Sequence, residues 1–179
     1  MSKWEMVRLG DIGGFAPKSS IKAGEGKSDG KYKFFTSSNE QTKYIDNCEY
    51  EFPALVFGTG GNASVHYCDT PFSTSTDCLV FFTTKSEIDL RSIYRYLSGN
   101  MYLLEEGFRG AGLKHISKKY ISTEIFVPLL DLDIQRQIAD VLDRVNLLIS
   151  QRKKQLEQLD LLVKSRFVSK GKCRLAVAA

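Results

Sequence analysis

Residues 138–167, IADVLDRVNLLISQRKKQLEQLDLLVKSRF, contain neither glycine nor proline, in a chain that glycine punctuates almost everywhere before them. Those two residues are the strongest helix breakers, so their absence over so long a run predicts one continuous helix. Ile138, Leu142, Val145, Ile149, Arg152, Leu156, Leu159, Val163 and Arg166 step alternately by four and three, and seven of these nine are aliphatic. That spacing is a coiled-coil seam held for about four heptads. Val141, Leu148 and Leu162 widen the seam into a stripe. Asp131 and Asp133 suit the first turn, where acid complements the positive end of the helix dipole, so the helix is predicted over 131–167. At 1.5 Å per residue it would be about 55 Å long, roughly twice the diameter of a small domain.

Residues 134–149 of such a rod can pack along a domain core, but beyond Arg152 the rod outruns any core of this size. Burying its aliphatic side chains would contribute on the order of 10 to 20 kcal/mol before entropy is subtracted. Leaving them in water would invite aggregation. A second helix, from another copy or from a duplicated half in a longer relative, is therefore expected against Ile138, Leu142, Val145, Ile149, Leu156, Leu159 and Val163, the predicted dimerisation residues. Arg152 and Gln155 interrupt the seam with polar groups, which either fixes its register or places Arg152 at the seam edge with its charge in water.

Outward from the helix, the chain of 179 residues has room for one domain and an appendage. Hydrophobic residues at 42% and charged residues at 26% fall in the ordinary globular range. Neither a membrane-length apolar run nor a secretory leader is visible, so a cytoplasmic protein is expected, with no membrane partner. The net charge of +4 is uneven: residues 1–130 carry 15 basic and 15 acidic side chains, and the excess lies after residue 130. One compact cationic segment, GFRGAGLKHISKKY, holds Arg109, Lys114, His115, Lys118 and Lys119 with no acid, which suits either a solvated loop or a nucleic-acid contact.

The first 85 residues read as β structure. WEMVRL, YKFF, CEYEF, ALVFG, SVHYC and CLVFFTT are short strands bounded by turn residues, and 17–30 reads as a mobile loop. Residues 88–106 switch to helical spacing through Ile88, Leu90, Ile93, Tyr94, Leu97, Met101 and Leu104, with Gly99 a point of interruption. ISTEIFVPLL offers a last strand, ended by Pro128. Sheet first and helix later, without a βαβ rhythm, indicates an α+β fold: a sheet-rich domain over 1–130, the long helix over 131–167, and a disordered tail over 168–179.

Chemistry for catalysis is missing. No phosphate-cradling glycine motif is present, and GTGG at 58–61 has the wrong spacing for one. Asp11 with Glu25 and Lys27, or with Asp29 and Lys31, imitates the acid pattern of metal-dependent nucleases but lies among loop glycines that would not hold it rigid. His66, Cys68 and Cys78 resemble a ligand trio only superficially, because zinc sites come as closely spaced ligand pairs. No catalytic residue, metal or cofactor is assigned. Polar groups for duplex recognition are concentrated in FFTSSNEQTKY, with Thr36, Ser37, Ser38, Asn39, Gln41 and Lys43, and in GTGGNASVHY, with Thr59, Asn62, Ser64 and His66. Either segment alone would also serve as ordinary surface.

WEMVRLGDIGGF, GTGGNASVHYCDTPFSTSTDCLVFF and above all GLKHISKKYISTEIFVPLLDLDIQRQIADVLDRVNLLISQRKKQLEQLDLLVKSRF resemble the DNA specificity subunits of type I restriction-modification systems. The likeness covers residues 4–167 and is most specific where proline is followed by the Q-x-x-I-A-x-x-L helix start. It implies a non-catalytic subunit that binds double-stranded DNA and docks methyltransferase (modification) subunits. An endonuclease/translocase subunit would join through the complex. Such subunits carry two recognition domains, each reading half of a split site, held apart by two antiparallel helices. With one recognition domain and one helix, this chain looks like half a subunit that self-associates. PLLDLDIQRQ lacks the second proline and the glutamate often found before the first glutamine, which bears on methyltransferase docking. The residues expected at DNA are Thr36, Ser37, Ser38, Asn39, Lys43, Thr59, Asn62, Arg109, Lys114, His115 and Lys118. A competing expectation is a coiled-coil interaction module that never touches DNA, or an orphan piece that titrates methyltransferase subunits.

Overall fold

The computed structural model describes residues 4–110 and 114–176, with side chains described as far as Arg166. The elements in chain order are β1 (Glu5–Arg8), α1 (Leu9–Ile12), β2 (Gly14–Phe15), β3 (Tyr32–Phe35), β4 (Lys43–Ile45), β5 (Ala54–Gly58), β6 (Ser64–Cys68), β7 (Phe72–Thr74), β8 (Cys78–Phe82), α2 (Leu90–Gly99), α3 (Tyr102–Glu105), α4 (Lys118–Thr123), β9 (Phe126–Leu129) and α5 (Leu132–Ala176). The fold is mixed α+β: several small sheets, then one long helix. Two compact units are distinguished, Met1–Ala139 and Asp140–Ala179.

The ALVFG run is apolar throughout because β5 is buried on both faces. It pairs antiparallel with β6 and β8, in a sheet ordered β2-β8-β5-β6. Alternation along the strand sends Leu55 and Phe57 into one core, with Phe81, Ile93 and Leu97, and Ala54 and Val56 into a second, with Phe35, Phe72 and Val80. A three-stranded sheet, β4-β3-β7, includes the parallel pair β3 and β7, and β1 pairs antiparallel with β9.

The helical stripe predicted over 88–106 is present but divided. Asp89 caps α2 by accepting from Arg91 N at 2.9 Å, and Leu90, Ile93 and Leu97 are its buried face. The division falls after Gly99, at Asn100, whose side chain donates to the Tyr96 carbonyl at 2.8 Å and draws the chain out of the helix.

Three strand expectations require correction. CEYEF forms no strand: only Tyr50 bridges Phe72, and Glu49 N and Tyr50 N both donate to the one Phe72 carbonyl, which stops the ladder. ISTEIFVPLL divides between α4, capped by Ser117, and β9. Pro128 lies inside that strand, opposite Met6. Leu9 N donates to Ile125 O at 2.9 Å, so the two-residue alternation leaves Met6 and Pro128 as a pair that exchanges no hydrogen bonds, and proline costs nothing there.

The 17–30 segment contains a 3-10 turn at Ala23–Glu25, and Lys27 bridges Tyr44. The long helix also exceeds its predicted end. Residues 168–176, expected as disordered tail, continue α5, since a run with a single glycine and no proline gives an established helix little reason to stop. Residues 177–179 of that tail lie outside the described residues.

The Q-x-x-I-A-x-x-L start has a physical basis. Gln135 is buried; its amide nitrogen donates to the carbonyls of Glu87 and Leu130 at 2.9 and 2.6 Å, and its oxygen accepts from Asp89 N at 2.8 Å. This one side chain ties the first turn of α5 to the N-terminus of α2. Ala139, one turn on, is fully buried, where a larger side chain would not fit as well.

Candidate nucleic-acid interface

Three segments distant in sequence meet at the C-terminal end of β5. The Ser37 hydroxyl donates to the Asp77 carbonyl at 2.5 Å and accepts from Thr59 N at 3.2 Å and Gly60 N at 3.4 Å. Thr59 Oγ1 donates to the same Asp77 carbonyl at 2.9 Å. The Thr59 carbonyl in turn accepts from His115 Nδ1 at 3.1 Å and from Ile116 N at 3.1 Å. The His115 backbone pairs with Arg109, N to O at 2.9 and 3.0 Å in the two directions. The loop after β3, the β5–β6 turn and the cationic segment are thus one hydrogen-bonded assembly.

Glycine permits the close approach. A Cβ at Gly58 would collide with Ser64 Oγ and come within 3.0 Å of Ser37 Cα, while Gly61 turns the chain with φ +78°. His66 adds a second tie: its Nε2 donates to the Ser38 carbonyl at 2.7 Å, and its ring lies 5.3 Å from that of Phe35.

The predicted DNA-contacting residues divide into three groups. Ser37 and Thr59 use their hydroxyls internally and act as joints of the assembly. Ser38, Asn39, Asn62, Arg109, Lys114 and His115 remain exposed around it, and Thr36 is half-buried after β3. Lys43 and Lys118 are drawn elsewhere: the Lys43 ammonium donates to the Ala23 carbonyl at 2.9 Å, and the Lys118 ammonium sits 5.3 Å over the Phe15 ring. Ala111, Gly112 and Leu113 of the cationic segment lie outside the described residues.

Beside the assembly runs a groove. One stretch, of about 340 Å³, is lined by Asn39, Asn62, Ala63, Glu105, Phe108 and Lys114. Another, of about 280 Å³, shares Asn39, Ala63 and Glu105 and continues to Ser98 and Met101. Glu105 escaped the sequence reading, which sought cations, amides and hydroxyls in loops; it closes a short helix that only the tertiary fold brings to Asn39.

His66, Cys68 and Cys78 do not converge. Cys68 Sγ donates to the Thr70 carbonyl at 3.3 Å and Cys78 Sγ to the Phe35 carbonyl at 3.6 Å. Burial pushes the Cys78 thiol up to about 11, so it stays protonated at neutral pH. Lys27, from the nuclease-like pattern, pairs with Asp46 at 2.9 Å, and Glu25 accepts from Lys22 N. Among the described residues no helix is long and apolar enough to cross a membrane.

On α5 the predicted seam is exposed. From Leu142 through Val145, Ile149, Leu156 and Leu159 to Val163 the exposure runs from 38% to 62%, and only Ile138 is half-buried. Arg152 Nη1 donates to Gln155 Oε1 at 2.9 Å, so the polar break is an internal pair.

Residues 1–159 match the family described as Type I restriction modification DNA specificity domain. The fold is similar to that of the type I restriction-modification S subunit from M. genitalium, with TM-score 0.68 and 17% identity over 80% of this chain and 39% of that one. It is also similar to the HsdS subunit from Thermoanaerobacter tengcongensis, with TM-score 0.56, 18% identity, and 82% and 38% of the two chains. A chain from a structure of complex assembly in the type I R-M system gives TM-score 0.63 at 16% identity, over 84% and 40%. The chain therefore spans about two-fifths of the length of these structural relatives. No curated protein sequence matches it. On the family match, which takes in the assembly at the end of β5, the groove and much of the long helix, this chain belongs to the type I restriction-modification DNA specificity domains, whose subunits are non-catalytic.

Proposed function

We propose that the Met1–Ala139 unit reads one half of a bipartite DNA target for a type I restriction-modification complex in the cytoplasm, and that the exposed seam of α5 pairs with a second helix. The observation that carries the first part is the union of three polar segments through Ser37, Thr59 and His115. Recognition needs side chains held in register with the duplex, and a hydrogen-bonded platform supplies that where free loops would not. Arg109 and Lys114 suit phosphate; Asn39 and Asn62 carry the paired donor and acceptor that match adenine in the major groove.

The seam supports self-association in an antiparallel sense. Before residue 150 the helix carries Asp133, Asp140 and Asp143 against Arg136 and Arg144; from 150 to its end at 176 it carries Arg152, Lys153, Lys154, Lys164, Arg166, Lys170, Lys172 and Arg174 against Glu157 and Asp160. Antiparallel copies set the acidic half against the basic half, whereas parallel copies set like against like. Two-fold pairing would present two identical recognition units and so call for a split, palindromic target. Methyltransferase subunits would dock on this assembly, with the endonuclease/translocase subunit joining through the complex.

The decisive experiment is co-expression with methyltransferase subunits of a type I system, followed by mapping of methylated adenines. A split symmetric motif is the expected result. Absence of any motif would favour a helix that captures proteins without DNA reading.

A further inference from the structure

The groove beside the loop assembly contains an acid. Glu105, the last residue of α3, lines both of its stretches together with Asn39 and Ala63. Among the described residues no ion pair or side-chain hydrogen bond engages its carboxylate, although Lys114 shares the same lining. What the local fold uses of this residue is its backbone: Glu105 N donates to Met101 O at 3.0 Å, and Phe108 N donates to Glu105 O at 3.1 Å.

An exposed carboxylate on a surface that meets a polyanion weakens binding wherever it faces phosphate. It is favourable where it faces a hydrogen-bond donor, because an ionised carboxylate can only accept. The major groove presents just two base donors, the N6 amine of adenine and the N4 amine of cytosine. Adenine also offers its N7 acceptor and is best matched by an amide, which Asn39 provides on the same groove. Cytosine offers the donor alone, which is what a carboxylate can use.

We propose that Glu105 is a specificity-determining residue that accepts a hydrogen bond from the N4 amine of a cytosine in the target. The inference rests on the loop assembly being the DNA-reading surface. Asn39 would read the neighbouring base, since the two side chains share both stretches of the groove. Glu106, next in sequence and also exposed, lines neither stretch and has no such role.

The test is selection of binding sites from randomised duplexes by the full chain in complex with its methyltransferase subunits, comparing wild type, Glu105→Ala, Glu105→Gln and Glu106→Ala. In Glu105→Ala, preference for one C·G position should fall by about ten- to a hundredfold while other positions are kept. Binding to random-sequence DNA should hold or tighten, because a negative charge has gone. Glu105→Gln should shift that same position toward adenine, as glutamine pairs with N6 and N7 together. Glu106→Ala should select the wild-type motif. An unchanged motif in Glu105→Ala, a uniform loss at every position, or a change confined to a position that is not C·G would overturn the proposal. A wild-type complex that selects no motif would instead overturn the reading of the assembly as a DNA surface.

Discussion

Apolar side chains have opposite fates in the two units. In Met1–Ala139, Leu55, Phe57, Phe81 and Leu97 are at most 1% exposed. In the helix beyond it, Val141, Leu147, Leu148, Leu156, Leu161 and Leu162 are each more than half exposed. The first unit buries most of its large apolar side chains in its own cores, with Trp4, Met6, Tyr102, Phe126 and Ile134 left exposed. Among the described residues, the second carries comparable side chains at regular spacing and leaves each of those from Val141 to Val163 more than a third exposed. A globular core and an assembly seam can thus share composition and differ only in whether the chain supplies both sides.

The largest expected effect separates the two. Leu156→Asp places a charge in the seam of each copy, and two such charges should weaken self-association more than about a thousandfold. The thermal unfolding of the first unit should be untouched. Sedimentation of wild type beside the variant reads this, and an unchanged mass in both would remove the self-association proposal.

The converse substitution, Phe57→Ala, should cost about 3–5 kcal/mol of unfolding stability through the cavity it leaves between Leu55, Phe81 and their neighbours. Denaturant titration measures it. If α5 associates independently, its dimer should survive conditions that unfold this variant's domain.

A smaller effect tests the tie between α2 and the first turn of α5. Gln135→Leu fills similar space but leaves the Asp89 amide and the Glu87 and Leu130 carbonyls without their partner, at a cost of about 2–4 kcal/mol in the same titration. A neutral outcome would show that water replaces the amide. Smallest of all, Lys114→Gln should lower the slope of log affinity against log salt by about 1 if it meets phosphate. Lys118→Gln should change it less, because that ammonium lies over Phe15.

Where the chain makes its own local pattern, the reading from sequence holds. The unbroken apolar run of β5 and the Leu90, Ile93, Leu97 stripe of α2 are visible as patterns because burial on two faces or one imposes a repeat on neighbouring residues, and the α5 seam is visible because helical spacing relates residues three and four apart. Elements made by distant partners were not visible. β7 is buried yet carries serine and threonine, and the Ser73 hydroxyl is accommodated by a carbonyl far away in sequence, that of Asn47, to which its Oγ donates at 2.7 Å. Pro128 reads as a terminator because the register that spares its missing N–H is set by β1, at the other end of the chain's first unit.

The candidate interface shows the same limit. Residue chemistry singled out Ser37 and Asn39 alike, and Lys114 and Lys118 alike. It did not reveal that Ser37 is a joint between loops, that Lys118 lies over an aromatic ring, or that Glu105 stands beside Asn39.

Residues 138–167 were sufficient to establish a long helix with an unmet apolar seam, since helical spacing is a relation among residues three and four apart and needs no knowledge of the rest. Only the folded chain determined which polar groups stay free to meet a ligand. The bonds that settle it join residues 22 and 56 positions apart, from Ser37 to Thr59 and from Thr59 to His115, and no local repeat encodes a partner at such a distance.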